Sequence, residues 1–434
     1  MASEIREAES WLEKGDEYLK IDELDKAIEC YSKSININPQ AAFCHFKRGN
    51  AFMQKGNLKQ AVRDFTNTIT LNPSFSFAHF KRGTVYLDLR QYNKAELDFN
   101  VAIEQTSEFY FAYYKRGLAR LGLKKIESAF EDFDKTIQLN ETFPSVYQSR
   151  GNKYFELKEY KKAIEDYSKL IQLTPKDPKA YISRGLAYSN LEQYRDAIND
   201  YTKAINIDDT QYLVFNYRGM IYSRQKEFDK AVLDYNQVLK LKPDQEDAYN
   251  NRGIAHFIMK KYEKSVNDYT KAIALNSKNP NYFYNRANAY FNLKDFINSI
   301  ADYSEAIELE PRFSGAYFGR ANANTNLSRF KEAIKDFSKC ISINNKFLQA
   351  YVGRGNAYSK MRYYKKALED YTLALEINPD FAQCYLNRGI TFRTMGEDSD
   401  AADDFNEYIR LQPNDNMSDR LRSWLHKMDF VVKY

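Results

Sequence analysis

The chain is 434 residues long and 43% hydrophobic, with 64 basic residues against 59 acidic ones and a net charge of +5. That apolar content can build a core, and no apolar run approaches the roughly 18 residues that cross a bilayer, so disordered and membrane-spanning classes are excluded. Near-balanced charge argues against a polybasic binder of nucleic acid or membrane, and 4 cysteines make no disulfide framework and point to a reducing, cytoplasmic setting.

Residues 1–7 mix acids with one Arg, lack the apolar stretch of a secretory leader, and are expected to extend the first helix. From residue 8 onward the chain repeats itself. Arg stands at 48, 82, 116, 150, 184, 218, 252, 286, 320, 354 and 388, every interval being 34 residues. Asp followed by Tyr or Phe keeps the same period, with Asp at 64, 98, 132, 166, 200, 234, 268, 302, 336, 370 and 404. A first, divergent copy precedes them. Twelve copies therefore fill 8–41, 42–75, 76–109, 110–143, 144–177, 178–211, 212–245, 246–279, 280–313, 314–347, 348–381 and 382–415.

Within one copy, numbered from 1 to 34, Tyr351, Gly355 and Tyr358 fall at positions 4, 8 and 11, which is one helical face. Tyr364, Ala367, Tyr371 and Ala374, at positions 17, 20, 24 and 27, form a second face. Prolines occur only at copy borders: seven at position 32, as in Pro379, and three at position 1 (Pro144, Pro178, Pro280), where the missing N–H costs nothing. Each copy is thus predicted to be helix, turn, helix, turn. Position 8 is Gly or Ala, position 20 Ala or Ser, and position 24 always Tyr or Phe, which accounts for much of the aromatic count of 35 Tyr and 29 Phe. Residues 416–434 close the chain. Ser418 or Asp419 could cap a helix with Leu421, Trp424, Leu425 and Met428 on one face, a terminal cap followed by the apolar tail Phe430-Val431-Val432-Lys433-Tyr434.

Small at 8, aromatic at 11, Ala at 20, aromatic at 24 and Pro at 32 on a 34-residue period closely resembles the tetratricopeptide repeat (TPR) family, over about nineteen-twentieths of the chain. The resemblance implies an all-α, right-handed superhelical solenoid of helix-turn-helix units with a C-terminal capping helix. It also implies a concave groove lined by positions 2, 5, 6, 9, 12 and 13, where such proteins bind peptide segments. Fold alone names no partner.

Chemistry-bearing motifs are absent: there is no Gly-rich phosphate loop, HExxH, paired CxxC or GxSxG, so no enzyme, cofactor or metal site is expected. Cys30, Cys44, Cys340 and Cys384 are read as buried structural thiols, and His45 and His79, at position 4, as substitutes for the aromatic residues found there in later copies. The Arg ladder at position 7 resembles a phosphate comb. However, copy 1 has Lys14 and Cys30 where the others have Arg and Asp, so positions 7 and 23 switch together, and an Arg–Asp pair is the economical reading.

Two surface patterns remain. Copies 2–4 place Phe43, Phe46, Lys47, then Phe77, Phe80, Lys81, then Phe111, Tyr114, Lys115 at positions 2, 5 and 6, a candidate peptide-binding site for an acidic segment with apolar anchors. Copies 9–11 carry Asn288, Asn292, Asn322, Asn326 and Asn356 at positions 9 and 13, a candidate amide ladder for an extended chain. The carboxylate clamp that the resemblance associates with heat-shock chaperone binders is missing, since no copy has Lys at 5 or Arg at 6. The expected role is a non-catalytic interaction scaffold or adaptor binding other proteins, with no nucleic acid and no membrane insertion. A large assembly such as a cilium, transport complex or secretion apparatus would suit it. The alternatives are a substrate-docking or regulatory subunit of a catalytic partner and a single-stranded RNA-binding solenoid.

Overall fold

The computed structural model describes residues 2–433. Among them every regular element is an α-helix, 25 in all, from Ala2–Lys20 to Asn416–Lys427. Two compact units are present, Met1–Asp208 and Asp209–Tyr434. Each is a stack of helix pairs: the first helix of a pair fills positions 1–13, as in Ala42–Gln54, and the second fills 17–30, as in Leu58–Leu71. Within each unit every helix packs on its sequence neighbours, and the first helices of most successive copies also touch each other. The first helices therefore lie on the inner side of each stack. This is the solenoid arrangement, in which a unit buries its apolar face only against its neighbours.

The pair is closed by one ring. Ala61 at position 20 and Phe65 at position 24 are fully buried, and a Cβ added to Gly49 at position 8 would stand 2.8 Å from the Phe65 ring. Each later copy repeats this contact wherever position 8 is Gly, which is why that position stays small: the helices approach until ring meets backbone. A left-handed residue at position 15 reverses the chain. Gly56 has φ +79°, its N–H donates to the Met53 carbonyl, and the Asn57 N–H donates to the Phe52 carbonyl, a Schellman closure. Most other copies force a non-glycine into the same conformation, for example Lys158 at φ 63° and Lys294 at φ 63°.

The Arg–Asp pairing holds, and it extends further than the spacing implied. Arg48 donates through Nε and Nη2 to both carboxylate oxygens of Asp64, each at 2.8 Å, linking the two helices of copy 2. Its remaining nitrogen, Nη1, reaches back 3.0 Å to the Ser32 hydroxyl of copy 1. The same triple contact joins Arg82 to Asp98 and Thr66, Arg286 to Asp302 and Thr270, and Arg320 to Asp336 and Ser304. Position 25 is therefore an inter-copy rung, and it is Ser, Thr, Asn or Asp throughout the chain.

The last copy has no following arginine, and its position-25 residue does something else. Asn406 is buried, donates from Nδ2 to the Val431 carbonyl (3.1 Å) and accepts the Lys433 N–H at Oδ1 (2.8 Å). The tail thus folds back on the end of its unit, with Phe430 and Val432 packed around Leu421 and Leu425 and the Phe430 ring stacked 6.0 Å from Trp424. The closing helix starts earlier than the sequence suggested. It begins at Asn416 with Asp415 at the N-cap position, and Ser418 lies inside it, its hydroxyl donating to the Gln412 carbonyl. Met428 is not part of the buried face, being 41% exposed. Tyr434 lies outside the described residues.

Candidate functional site

The candidate site of copies 2–4 lies on the first helices Ala42–Gln54, Ser76–Asp88 and Tyr110–Gly122, all in the unit Met1–Asp208. Its two sets of aromatic residues separate. The position-2 rings are open, Phe43 being 49%, Phe77 51% and Phe111 39% exposed. The position-5 rings are half-buried, each wedged between two rings of its own copy. Phe46 lies 5.8 Å from Phe65 and 4.8 Å from Phe75; Phe80 lies 6.0 Å from Phe99 and 4.7 Å from Phe109; Tyr114 lies 6.1 Å from Phe133 and 5.0 Å from Phe143. These three rings anchor the final residue of the copy, at position 34, onto the position-24 ring. They therefore also take part in the packing of the copy. Each open ring leans on this inner cluster: Phe77 is 5.1 Å from Phe109 and Phe111 is 5.3 Å from Phe143. An aromatic surface mounted on an aromatic layer is pre-organised for contact, because its rotamers are already restricted.

The three lysines also differ from one another. Lys47 sits 5.2 Å over the Phe43 ring and is held by Asp16, Nζ to Oδ2 3.1 Å. Lys81 is half-buried, and burial first, then the charge of Lys115 beside it, pushes its ammonium below the ordinary lysine value. A cavity of about 500 Å³ opens along the first helices of copies 1–3, lined on its apolar side by Leu19, Phe43, Phe46 and Met53 and on its polar side by Lys47, Asn50 and Lys81.

At the other candidate surface, in the unit Asp209–Tyr434, part of the amide array is engaged within the protein. Asn288 Oδ1 accepts the Tyr303 hydroxyl (2.6 Å), and Asn356 Oδ1 accepts both the Tyr371 hydroxyl (2.7 Å) and Asn387 Nδ2 (3.0 Å). Asn292 and Asn326 donate back to the carbonyls of Asn288 and Asn322 in their own helices. In the copy of Asn322, position 24 is Phe337, which has no hydroxyl to offer. A cavity of about 790 Å³ here is lined by Asn326, Asn356, Ser359, Lys360, Tyr371 and Asn387, neutral apart from the single lysine.

The remaining chemistry is structural. His45 and His79 are buried, and their Nε2 atoms reach the carbonyls of Pro39 and Pro73 at 3.1 and 3.3 Å, the contact that the Tyr147 hydroxyl makes with Glu141 at 3.0 Å. All four cysteines are buried and free, and burial pushes Cys340 up to about 11 and Cys384 up to about 12. Among the described residues no group of three or more His, Cys, Asp or Glu could hold a metal ion. No described helix is long and apolar enough to cross a membrane.

Comparison with known proteins follows the helix pairs. Families described as "TPR repeat" match residues 15–56, 151–192, 219–260 and 255–294. Those described as "Tetratricopeptide repeat" match 46–108, 178–211, 280–313, 314–347 and 348–381. Together these segments cover well over half of the chain. No curated protein matches it. Among solved structures, the chain is similar to YrrB, a TPR protein with an unusual peptide-binding site, at 22% identity over 42% of this chain and 95% of that one, TM-score 0.39. It is similar to a tetratricopeptide repeat protein from Parabacteroides merdae at 20% identity over 57% of this chain and 97% of that one, TM-score 0.44. A chain of the APC/C hetero-tetramer Cut9-Hcn1 aligns at 13% identity over 94% of each chain, TM-score 0.43.

Proposed function

The chain belongs to the tetratricopeptide repeat family, and we propose that it is a non-catalytic scaffold holding extended segments of other proteins along its first helices, within a larger multiprotein assembly. The main ligand site in this reading is the face of copies 2–4, and the favoured ligand is an acidic segment with apolar anchors. One observation carries it: three open rings, Phe43, Phe77 and Phe111, recur at position 2 of successive copies, each resting on half-buried rings and each followed one helical turn later by a lysine. Other copies put Lys179, Asp247, Asn281 or Gln349 at position 2, so the fold does not require an aromatic residue there. Rings of this kind act as anchors that desolvate on contact, and flanking charge steers approach.

The test is affinity purification with the full chain beside a Phe43→Ala/Phe77→Ala/Phe111→Ala variant whose helicity and melting are unchanged. Anchor residues of this type are worth about 2–4 kcal/mol of binding each, so partners captured by the parent should be lost. Retention of every partner by the triple variant would place the site elsewhere. The position-5 rings are poor choices for this test, because removing them opens the core.

A further inference from the structure

The register between neighbouring copies contains an internal comparison. Position 9 of one copy meets position 6 of the next. Asp16, at position 9 of copy 1, holds Lys47, at position 6 of copy 2, and Asn356 of copy 11 accepts from Asn387 of copy 12 in the same register at 3.0 Å. One copy further along from Lys47 the lysine recurs as Lys81 while position 9 has become Asn50, and the two line the same cavity. One copy further again the lysine is Lys115 and position 9 is Thr84, whose buried hydroxyl is turned back onto the Phe80 carbonyl at 2.9 Å. The chain thus provides its own carboxylate at the first of three equivalent sites and none at the next two. Lys81 and Lys115 are half-buried neighbours, and among the described residues neither has a carboxylate within ion-pair distance. The cavity beside Lys81 has no carboxylate in its lining either, only cations, amides and apolar groups.

We propose that Lys81 and Lys115 receive two carboxylates from an acidic, apolar-flanked segment of a partner protein, in the place that Asp16 fills against Lys47. This rests on the groove reading above and specifies which groups read charge there. Two like charges drawn out of water side by side are unfavourable until a counter-charge arrives, so the gain on binding an acid is larger than at a solvated surface lysine. Phe77 and Phe111, one turn before each lysine, receive the apolar residues flanking the acids. Lys47 contributes little to affinity because Asp16 already occupies it.

Asp16 makes the idea testable in both directions. Asn50→Asp should create the missing internal carboxylate at Lys81 and pre-empt the ligand. Asp16→Asn should release Lys47 as a third site. It should not disturb the fold, because the Tyr31 hydroxyl that Asp16 accepts at 2.6 Å is accepted equally by an amide in other copies, Tyr167 by Asn152 at 2.9 Å and Tyr303 by Asn288 at 2.6 Å. The probe is a short, terminally blocked, fluorescent peptide alternating Glu with Leu and Phe, alongside the same peptide with Gln, titrated against the full chain by anisotropy. The Glu peptide is expected to bind about tenfold more tightly than the Gln peptide. That ratio should drop severalfold in Asn50→Asp and in Lys115→Gln, fall toward one when the two are combined, and widen in Asp16→Asn. A ratio of one in the unaltered protein, or a ratio indifferent to Asn50→Asp, overturns the proposal. If the Gln peptide then still binds and loses affinity on Phe77→Ala, the groove reading stands without it; if neither peptide binds, both fall.

Discussion

Removing a single carboxylate from the Arg–Asp ladder tests how the array is held together. Asp302 is 5% exposed and takes Arg286 Nε and Nη2 at 2.7 and 2.8 Å. Burial works against the Arg286 charge, but the hydrogen bonds and charge of Asp302 raise its pKa above the ordinary value. Asp302→Ala leaves that guanidinium with one hydrogen bond, at 3.0 Å to Thr270, and its place over the Phe283 and Tyr290 rings. Breaking one side of a buried pair costs about 3–5 kcal/mol, and the lower end, about 3, applies because the Arg286 side chain keeps 17% of its exposure and one partner. Replacing both members with apolar residues, Arg286→Met with Asp302→Leu, should cost clearly less than the sum of the single changes. A global melt is a poor readout, since repeat arrays lose all-or-none behaviour. Native-state hydrogen exchange is the appropriate assay: amides of copy 9 and its neighbours should exchange about a hundredfold faster, while amides of the unit Met1–Asp208 keep their protection. Unchanged protection in copy 9, or intact protection combined with loss of ligand binding at copies 2–4, would refute the structural role of the ladder.

Three further outcomes are expected. Lys158→Gly relieves a left-handed non-glycine (φ 63°) and should stabilise its copy by about 0.5–1 kcal/mol by native-state hydrogen exchange, whereas Gly56→Ala at φ +79° should destabilise its copy by about 1 kcal/mol. Cys340 and Cys384, with thiols pushed up to about 11 and about 12, should resist iodoacetamide at pH 8 in the folded chain and react promptly in urea; because the folded values are raised, the stability they confer is complete below the unfolded thiol value and fades as pH rises toward 11–12. Deleting 430–434, or changing Asn406 to Ala, should lower the stability of the unit Asp209–Tyr434 by about 1–3 kcal/mol by differential hydrogen exchange, since the tail's backbone pairs with Asn406; a change in oligomeric state with no loss of protection would instead assign the tail to assembly.

How much of this was legible in the sequence depends on whether a residue's partner lies at a fixed offset. The ring at position 24, the small residue at 8 and the Arg–Asp pair recur in step, so the period alone exposes them. Position 25 recurs just as faithfully, as Ser32, Thr66, Asn100 and so on, but its partner lies in the next copy, and scanning one copy at a time misses it. The position-5 rings illustrate a subtler failure. They look optional because other copies hold Gln148 or Asn216 there. Yet Phe46, Phe80, Tyr114, Tyr284 and Phe318 each coincide with a Phe at position 34 of the same copy, and copies with Gln148 and Asn216 end in Asp177 and Gln245. Paired variation inside the chain, the same signal that identified the Arg–Asp pair, marks positions 5 and 34 as contacts; Tyr284 and Phe318 lie tilted against Phe313 and Phe347 at 4.8 Å accordingly. Cap position at the last helix was illegible for a different reason, since Asp415 and Ser418 both suit an N-cap and only the preceding turn decides between them.

The same accounting separates function from fold. A residue whose partner recurs in register with it serves the repeat: Arg at 7 serves Asp at 23 and the hydroxyl or amide at 25, and Asn152, Asn288 and Asn356 at position 9 serve a Tyr hydroxyl at 24. The arginines, engaged through Nε, Nη1 and Nη2 as Arg48 is, have little left to offer a ligand and make no phosphate comb, whereas the amides spend only their Oδ1 on the Tyr hydroxyls and keep their Nδ2 donors. Among the groups with no such partner on the inner faces are, in the unit Met1–Asp208, three open rings and the lysines 81 and 115, and in the unit Asp209–Tyr434, Asn322, whose copy carries Phe337 at position 24, and Lys360 beside a neutral cavity. The first set combines large apolar area with uncompensated charge, the mixture that anchors and orients a segment. The second offers amide donors and acceptors with one charge, which suits backbone more than side chains. An array built this way can recognise at one set of copies and merely hold at another, because nothing in the shared repeat requires the inner faces of different copies to carry the same chemistry.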